Sequence, residues 1–134
     1  MIKDLTVEEI TQILNISDES PLPCNKGQWV QWLVSQANNP KLKIAGKVNE
    51  TGRLIAYIVI LDNVIPPLFD NIVTLHIWTT DHRDTHELAQ VFTDWGRKIG
   101  AKRGLVSVPS DHTDKYMEIF GGKKIASVYE WRFD

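Results

Sequence analysis

The stretch of sequence that decides the fold runs from residue 72 to residue 108 and reads IVTLHIWTTDHRDTHELAQVFTDWGRKIGAKRGLVSV. Its first part, 72–80, alternates between apolar and other side chains, as one strand does. Three apolar side chains are expected on one face: Val73, Leu75 and Ile77. Its last part, 105–108, is a short apolar strand that follows a helical segment. A strand, a helix and a strand in this order predict a crossover that joins two parallel neighbours.

The helical segment between these strands is the strongest in the chain. Its apolar residues recur at helical spacing and form one stripe: Leu88, Val91, Phe92, Trp95 and Ile99. Residues 84–87, which begin with Asp84, are expected to cap the helix, and Gly100 stands where a helix would stop. We therefore predict a helix over 84–99 that packs its apolar stripe, with Trp95 at its middle, on the sheet.

Before this stretch the pattern predicts two helices and a hairpin. Thr6 opens a capping box before a first helix of about nine residues, and Asn25 opens a second helix. Alternation from Leu42, a turn at 49–52 and a continuous apolar run at 54–61 predict two antiparallel strands.

Two more elements are expected after the central stretch, a helix over 116–120 and a strand over 127–133. The chain has 134 residues, a length that suits one domain. The order of elements predicts an α+β (mixed α/β) domain, 1–134, whose central mixed sheet is flanked by about four helices.

Composition and charge exclude several classes of protein. Hydrophobic residues make up 43% and charged residues 24% of the chain, as in a folded globular protein and unlike a disordered chain. The net charge of −2 disfavours a nucleic-acid partner held by charge alone. No apolar window is long enough to span a bilayer, so no membrane partner is expected. Cys24 is the only cysteine and no secretory leader is recognised, which favours a cytoplasmic location.

Two segments of the second half carry a family resemblance. They are FTDWGRKIGAKRGLVSV at 92–108 and YMEIFGGKK at 116–124. These segments look like the central helix, the fifth strand and the fourth helix of the GCN5-related N-acetyltransferases, the GNAT superfamily. The element order agrees with that family except for a first strand that is absent or reduced to the first few residues. The resemblance implies a splayed pair of parallel strands, acetyl-CoA as cofactor and an amine as acceptor.

The cofactor loop of that family is altered in this chain. Its motif, Arg/Gln-x-x-Gly-x-Gly/Ala, lets backbone N–H groups hold the pyrophosphate of acyl-CoA. The six motif positions fall on 80–85, where neither glycine is present. By resemblance, the cofactor contacts are Trp78, Thr79, Thr80, Arg83, Asp84, Thr85 and Ser110. Asp81 and Asp84 bring negative charge towards the phosphates, so we expect Arg83 to offset it.

Two side chains are candidates for proton transfer. The tyrosine that protonates the departing thiolate in the family maps to Met117, and Tyr116 lies one residue earlier, so Tyr116 is either that acid or a core residue. His76, on the strand 72–80, is either the base that accepts the proton of the amine, directly or through water, or a half-buried structural histidine.

The remaining histidine, cysteine and tryptophan residues give no indication of a catalytic role. His82 and His86 are four residues apart, but no third ligand has metal-site spacing, so no metal is expected there. Cys24 is expected to be a buried or idle thiol. Trp29 and Trp32 cannot both face the core from one helix, so one of them is either a surface for a protein partner or merely exposed.

Two hypotheses of different class follow. The first is an acyl-CoA-dependent N-acetyltransferase with a degenerate cofactor loop that acetylates an unidentified amine. In it, backbone N–H groups around 78–80 polarise the thioester carbonyl. The second is a catalytically inactive protein of the same fold, viral or host-interacting for example, that acts by binding. The missing glycines favour the second and the fold favours the first.

Overall fold

A computed structural model describes residues 1–16, 25–63, 71–106, 122–123 and 133. The strands in these ranges are β1 (Lys3–Asp4), β2 (Leu42–Val48), β3 (Leu54–Asn63), β4 (Asn71–Thr79) and β5 (Arg103–Leu105). The α-helices are α1 (Val7–Thr11), α2 (Lys26–Ser35) and α3 (Arg83–Lys98), and a 3₁₀ helix, Gln12–Asn15, follows α1. The strands form one sheet in the order β1-β2-β3-β4-β5, antiparallel except for the parallel pair β4 and β5. The α+β class and the mixed sheet are therefore confirmed.

The parallel pair is the part of the sheet that the sequence predicted from the crossover. Its register runs from Asn71 opposite Arg103 to Val73 opposite Leu105. Beyond Val73, β4 continues to Thr79 without pairing to β5 within the described ranges. The splay predicted for the carboxyl ends involves Ser107 and Val108, which lie outside the described residues.

Both predicted helix starts in the first part of the chain are confirmed. Thr6 and Glu9 form a reciprocal capping box at the start of α1. The helix of about nine residues expected there is divided, because a five-residue α1 passes into a four-residue 3₁₀ helix. The side chain of Asn25 accepts hydrogen bonds from the N–H groups of Gly27 and Gln28 and caps α2.

The hairpin turn between β2 and β3 is held by one asparagine. The Oδ1 atom of Asn49 accepts from the N–H groups of Thr51 and Arg53 and from the hydroxyl of Thr51. Gly52 has a φ of 84°, a left-handed conformation that glycine adopts without strain. The turn predicted at 49–52 is therefore confirmed.

A bulge in β4 overturns the predicted assignment of its faces. Val59 lies opposite His76 and Ile60 lies opposite Thr74, so Leu75 is an extra residue in β4. Leu75 packs with the apolar cluster under α1 and α2, whereas Ile77 packs with the cluster under α3. The expectation that Leu75 and Ile77 share a face is wrong, because one extra residue reverses the alternation beyond it.

The sheet is covered by a different cluster on each face. One cluster joins the first two helices to the sheet: Leu5, Ile10, Ile13, Trp29, Val30, Leu33, Leu42, Ile44, Leu54, Tyr57 and Val59. The other lies between the sheet and α3: Ala45, Ala56, Ile58, Ile60, Ile72 and Leu88. The continuous apolar run of β3 contributes to both, as the sequence predicted for a strand covered on two sides.

Two details of α3 correct the sequence prediction. The helix begins at Arg83, so Asp84 lies in its first turn and does not cap it. The helix ends at Lys98, and Ile99 is an exposed residue after it, 38% accessible, although the stripe predicted it to be buried. Leu88 is fully buried, and Trp95 is only partly buried against the cluster under α3.

Gly46 marks a close approach between β2 and β3, and its substitution should destabilise the fold. A Cβ atom at this position would lie 2.5 Å from the backbone oxygen of Ala56 and 3.0 Å from Leu5. Gly46→Ala is therefore expected to cost about 1–3 kcal/mol of unfolding free energy, measured by chemical denaturation. The exposed control Lys41→Ala should stay within about 0.5 kcal/mol of wild type. Equal stability of Gly46→Ala and wild type would contradict this account of the β2–β3 contact.

Candidate active site

The end of β4, the loop after it and the first turn of α3 hold most of the side chains that the resemblance singled out. Trp78 and Thr79 lie opposite Tyr57 and Ala56 of β3. Thr80 is tied to β3 twice, since its N–H and its hydroxyl both donate to the backbone oxygen of Ile55, at 3.1 and 3.0 Å. The N–H of Thr80 is thus already used, and that of Trp78, two residues earlier and opposite Tyr57, faces β3 in the same way. This leaves the N–H of Thr79 as the candidate to polarise a carbonyl.

The loop itself is closed by an ion pair between neighbours. The guanidinium of Arg83 donates to Asp81 from both Nε and Nη2, with an Nη2 to Oδ2 distance of 2.7 Å. This bidentate contact holds the pKa of the Asp81 carboxyl at about 2, below its usual 3.8, and it raises the pKa of Arg83. The Arg83 side chain is 90% exposed.

The first N–H groups of α3 are already used within the chain. The N–H of Arg83 donates to Oδ1 of Asp81 at 2.9 Å, and that of Asp84 donates to the backbone oxygen of Asp81. The N–H of Thr85 donates to the backbone oxygen of His82, whose side chain makes no capping bond. The carboxylate of Asp81 therefore lies where an anion would meet the start of this helix.

Asp84 is directed away from the loop. It is buried, and its Oδ1 atom accepts from Nζ of Lys47 at 2.8 Å, while Glu87 accepts from the same ammonium at 3.0 Å. These bonds raise the pKa of Lys47. Both carboxylates that the sequence placed near the phosphates are thus paired, Asp84 with Lys47 and Asp81 with Arg83.

His76 lies against an aromatic cluster on the side of the sheet under α1 and α2. Its ring centre is 5.5 Å from that of Tyr57 and 6.0 Å from that of Trp29. The indole Nε1 of Trp29 donates to the Tyr57 hydroxyl at 3.3 Å, and Tyr57 also contacts Trp78. The structure thus joins His76 to Trp78 through Tyr57, a residue that the sequence analysis did not single out because it lies within an apolar run.

The two tryptophans of α2 divide as expected between core and surface. Trp29 is buried and Trp32 is 40% exposed, and their rings stack with centres 5.8 Å apart. The exposed ring therefore lies in stacked contact with the buried one.

A groove beside Trp78 was not predicted from the sequence. It has a volume of about 630 Å³ and lies between the 3₁₀ helix, the β2–β3 turn and the end of β4. Its lining includes Asn15, Arg53 and Trp78. These residues are far apart in sequence, so no local motif could have indicated them.

Three predicted residues, Tyr116, Ser110 and Cys24, lie outside the described residues. In the described ranges, no cluster of three or more potential metal ligands is found. Within the same ranges, no helix is both long and apolar enough to cross a bilayer.

Comparison with known proteins finds similarity in structure alone. Neither a protein-family model nor a curated protein sequence matches the chain. The structure of an aminoglycoside 6'-N-acetyltransferase from Acinetobacter baumannii matches with a TM-score of 0.75 at 10% identity, over 100% of this chain and 97% of that one. Glucosamine-6-phosphate N-acetyltransferase from Arabidopsis thaliana matches with a TM-score of 0.72 at 11% identity, over 100% and 98%.

A third match is ribosomal-protein-alanine N-acetyltransferase from Brucella melitensis biovar Abortus 2308, with a TM-score of 0.70 at 17% identity over 99% of both chains. The three acetylate different acceptors according to their names, so what they share with this chain is the architecture. The chain therefore has the fold of the GCN5-related N-acetyltransferases, in a divergent form.

Proposed function

We propose that this protein is an acyl-CoA-dependent N-acetyltransferase that moves an acetyl group from acetyl-CoA to an amine. The observation that carries the proposal is the crossover from β4 through α3 to β5, in which β4 pairs in parallel with β5 from Asn71 to Val73 and runs on to Thr79 at the start of the loop. In this proposal the pantetheine arm of acetyl-CoA, an extended ligand, lies along the end of β4. The acetyltransferase names of the structural neighbours agree with this use of the fold.

The reaction needs a polarised carbonyl and two proton transfers. The amine nitrogen attacks the thioester carbon while the N–H of Thr79 stabilises the oxyanion. The C–N bond forms, the C–S bond breaks, and CoA leaves as a thiolate. In this proposal His76 accepts the proton of the amine, directly or through water, and Tyr116 protonates the thiolate.

Binding of the pyrophosphate requires a change at the loop, because the Asp81 carboxylate already occupies the helix start. We propose that Arg83 exchanges its carboxylate partner for a phosphate, which also accepts two parallel N–H bonds. The long, exposed Arg83 side chain suits this exchange. Thr85 and Ser110 are retained as further proposed contacts, and Asp84 is paired with Lys47, an ammonium that it shares with Glu87.

Asp81→Asn should tighten binding of acetyl-CoA by about threefold to tenfold, because it removes a negative charge beside the phosphates. The amide oxygen can still accept from the N–H of Arg83, so the loop should keep its shape. Since the pKa of Asp81 is about 2, wild type carries this charge throughout pH 5–8 and the gain should not depend on pH there. Titration calorimetry at three pH values measures it. Weaker binding by Asp81→Asn would mean that the carboxylate helps to hold the cofactor.

A second candidate function is a binding protein without catalysis. It is favoured by the hydrogen bonds that Asp81 and His82 accept from the start of α3, since these complete the loop without a ligand. The exposed Trp32, stacked on Trp29, would then be the contact for a protein partner.

Calorimetric titration with acetyl-CoA and with CoA separates the two functions. An N-acetyltransferase must bind at least one of them at micromolar to submillimolar concentration. Absence of heat, together with an unchanged melting temperature at millimolar acetyl-CoA, would reject the enzyme and leave the binding protein.

A further inference from the structure

We infer that the groove beside Trp78 binds the acceptor, and that the acceptor is an amine on a hydroxylated, anionic small molecule such as an amino-sugar phosphate. The inference rests on the proposed acetyl transfer and adds the class of substrate. The groove, about 630 Å³ in volume, is large enough for a sugar-sized ligand. Trp78 lines the groove and is followed in β4 by Thr79, the proposed oxyanion donor, so an amine bound in the groove would be close to the carbonyl.

The lining of the groove is rich in uncharged polar groups. Amides of Gln12, Asn15 and Asn49 and the hydroxyls of Thr51 and Thr80 are present. Amides and hydroxyls donate and accept, as the hydroxyl groups of a sugar do. The indole of Trp78 supplies an apolar surface on which the C–H face of a ring can lie.

The walls of the groove are held in place by their own hydrogen bonds. Gln12 donates through Nε2 to the backbone oxygen of Gly52 and accepts through Oε1 from the N–H of Leu54, both at 2.8 Å. The oxygen of Asn49 is used by the turn, as described above. A ligand therefore meets a groove whose side chains need little reordering.

The charge of the lining selects an anion over a polycation. Arg53 is the one charged residue among the described residues that line the groove, and it makes no ion pair with any described residue. The described lining contains no carboxylate, although Glu50 lies nearby in the turn. A polyamine would find no counter-charge among the described lining residues, whereas a phosphate would pair with the guanidinium.

Arg53→Gln, with Arg97→Gln as its control, tests the inference. Both arginines are exposed and both variants lose one positive charge, but Arg97 is on α3 and does not line the groove. We expect glucosamine 1-phosphate to bind wild type and Arg97→Gln equally, and Arg53→Gln about tenfold more weakly. The affinity for glucosamine, which has no phosphate, should not change in either variant. Titration calorimetry measures binding, and melting temperatures confirm that both variants fold.

Four results would overturn the inference. They are no binding of glucosamine 1-phosphate, equal weakening by both variants, tighter binding of spermidine, and binding of inorganic phosphate as tight as that of the sugar phosphate, which would leave an anion site only. Acetyl-CoA is titrated into the same samples. If acetyl-CoA binds and the sugar phosphate does not, the substrate class is wrong and the proposed function stands. If only the sugar phosphate binds, the proposed function is wrong, and the acceptor role of the groove is overturned with it.

Discussion

Leu88→Ala is expected to lower the unfolding free energy by about 2–5 kcal/mol. Leu88 is 1% exposed and is the α3 residue that belongs to the buried cluster between this helix and the sheet. Removing its isobutyl group leaves a cavity between the helix and β3, where neighbouring side chains cannot close the space without moving the helix. Denaturant unfolding monitored by tryptophan fluorescence measures the loss.

The control for Leu88 lies on the opposite side of the same helix. Gln90 is exposed, and Gln90→Ala should change stability by no more than about 0.5 kcal/mol. If Leu88→Ala cost as little as Gln90→Ala, the orientation of α3 on the sheet would be wrong. Trp95 is a weaker test of that orientation, since the structure leaves its ring partly exposed.

Arg83→Ala is expected to weaken binding of acetyl-CoA by about 10- to 100-fold. The variant loses the proposed bidentate contact to phosphate, and it also exposes the charge of Asp81, which Arg83 pairs in the free protein. Both effects weaken the binding of acetyl-CoA. Titration calorimetry at low and high salt measures them, and the difference should shrink at high salt because the site is exposed.

Arg83→Lys and Arg97→Ala are the controls for this prediction. Lysine keeps the charge and loses the planar pair of donors, so Arg83→Lys should bind with intermediate affinity. Arg97→Ala, at the other end of α3, should bind as wild type does. If acetyl-CoA binds tightly and Arg83→Ala does not change its affinity, the phosphates lie on another loop. The proposed contact between Arg83 and the phosphates would then be wrong.

Features that depend on neighbours in sequence were predicted correctly. The capping box at Thr6, the cap at Asn25 and the turn at Asn49 each involve contacts within four residues. The parallel pair also followed from the chain order, because a crossover through one helix leaves few other arrangements. Caps and tight turns are governed by local hydrogen bonds, so their residues carry the information themselves.

Features that depend on register or on distant partners were missed. The bulge at Leu75 has no sequence signal in β4, because it arises where β4 is fitted to β3. As a result Leu75 and His76, which were predicted on opposite faces, both lie on the face of the sheet under α1 and α2. Asp84 looked like a cap because acidic residues commonly occupy that position, but Lys47 of β2, 37 residues away, draws its carboxylate to the sheet.

The sequence by itself determined the order of elements from α1 to β5, the crossover and the absence of the glycines at 80–85. Tertiary structure alone decided that Asp81 occupies the start of α3, that Tyr57 connects His76 to Trp78, and that Arg53 lines a groove with Asn15. The physical reason is that hydrophobic periodicity and helix caps depend on interactions between residues a few positions apart in the sequence. The groove and the aromatic cluster depend instead on which strands are adjacent and on a one-residue shift between them.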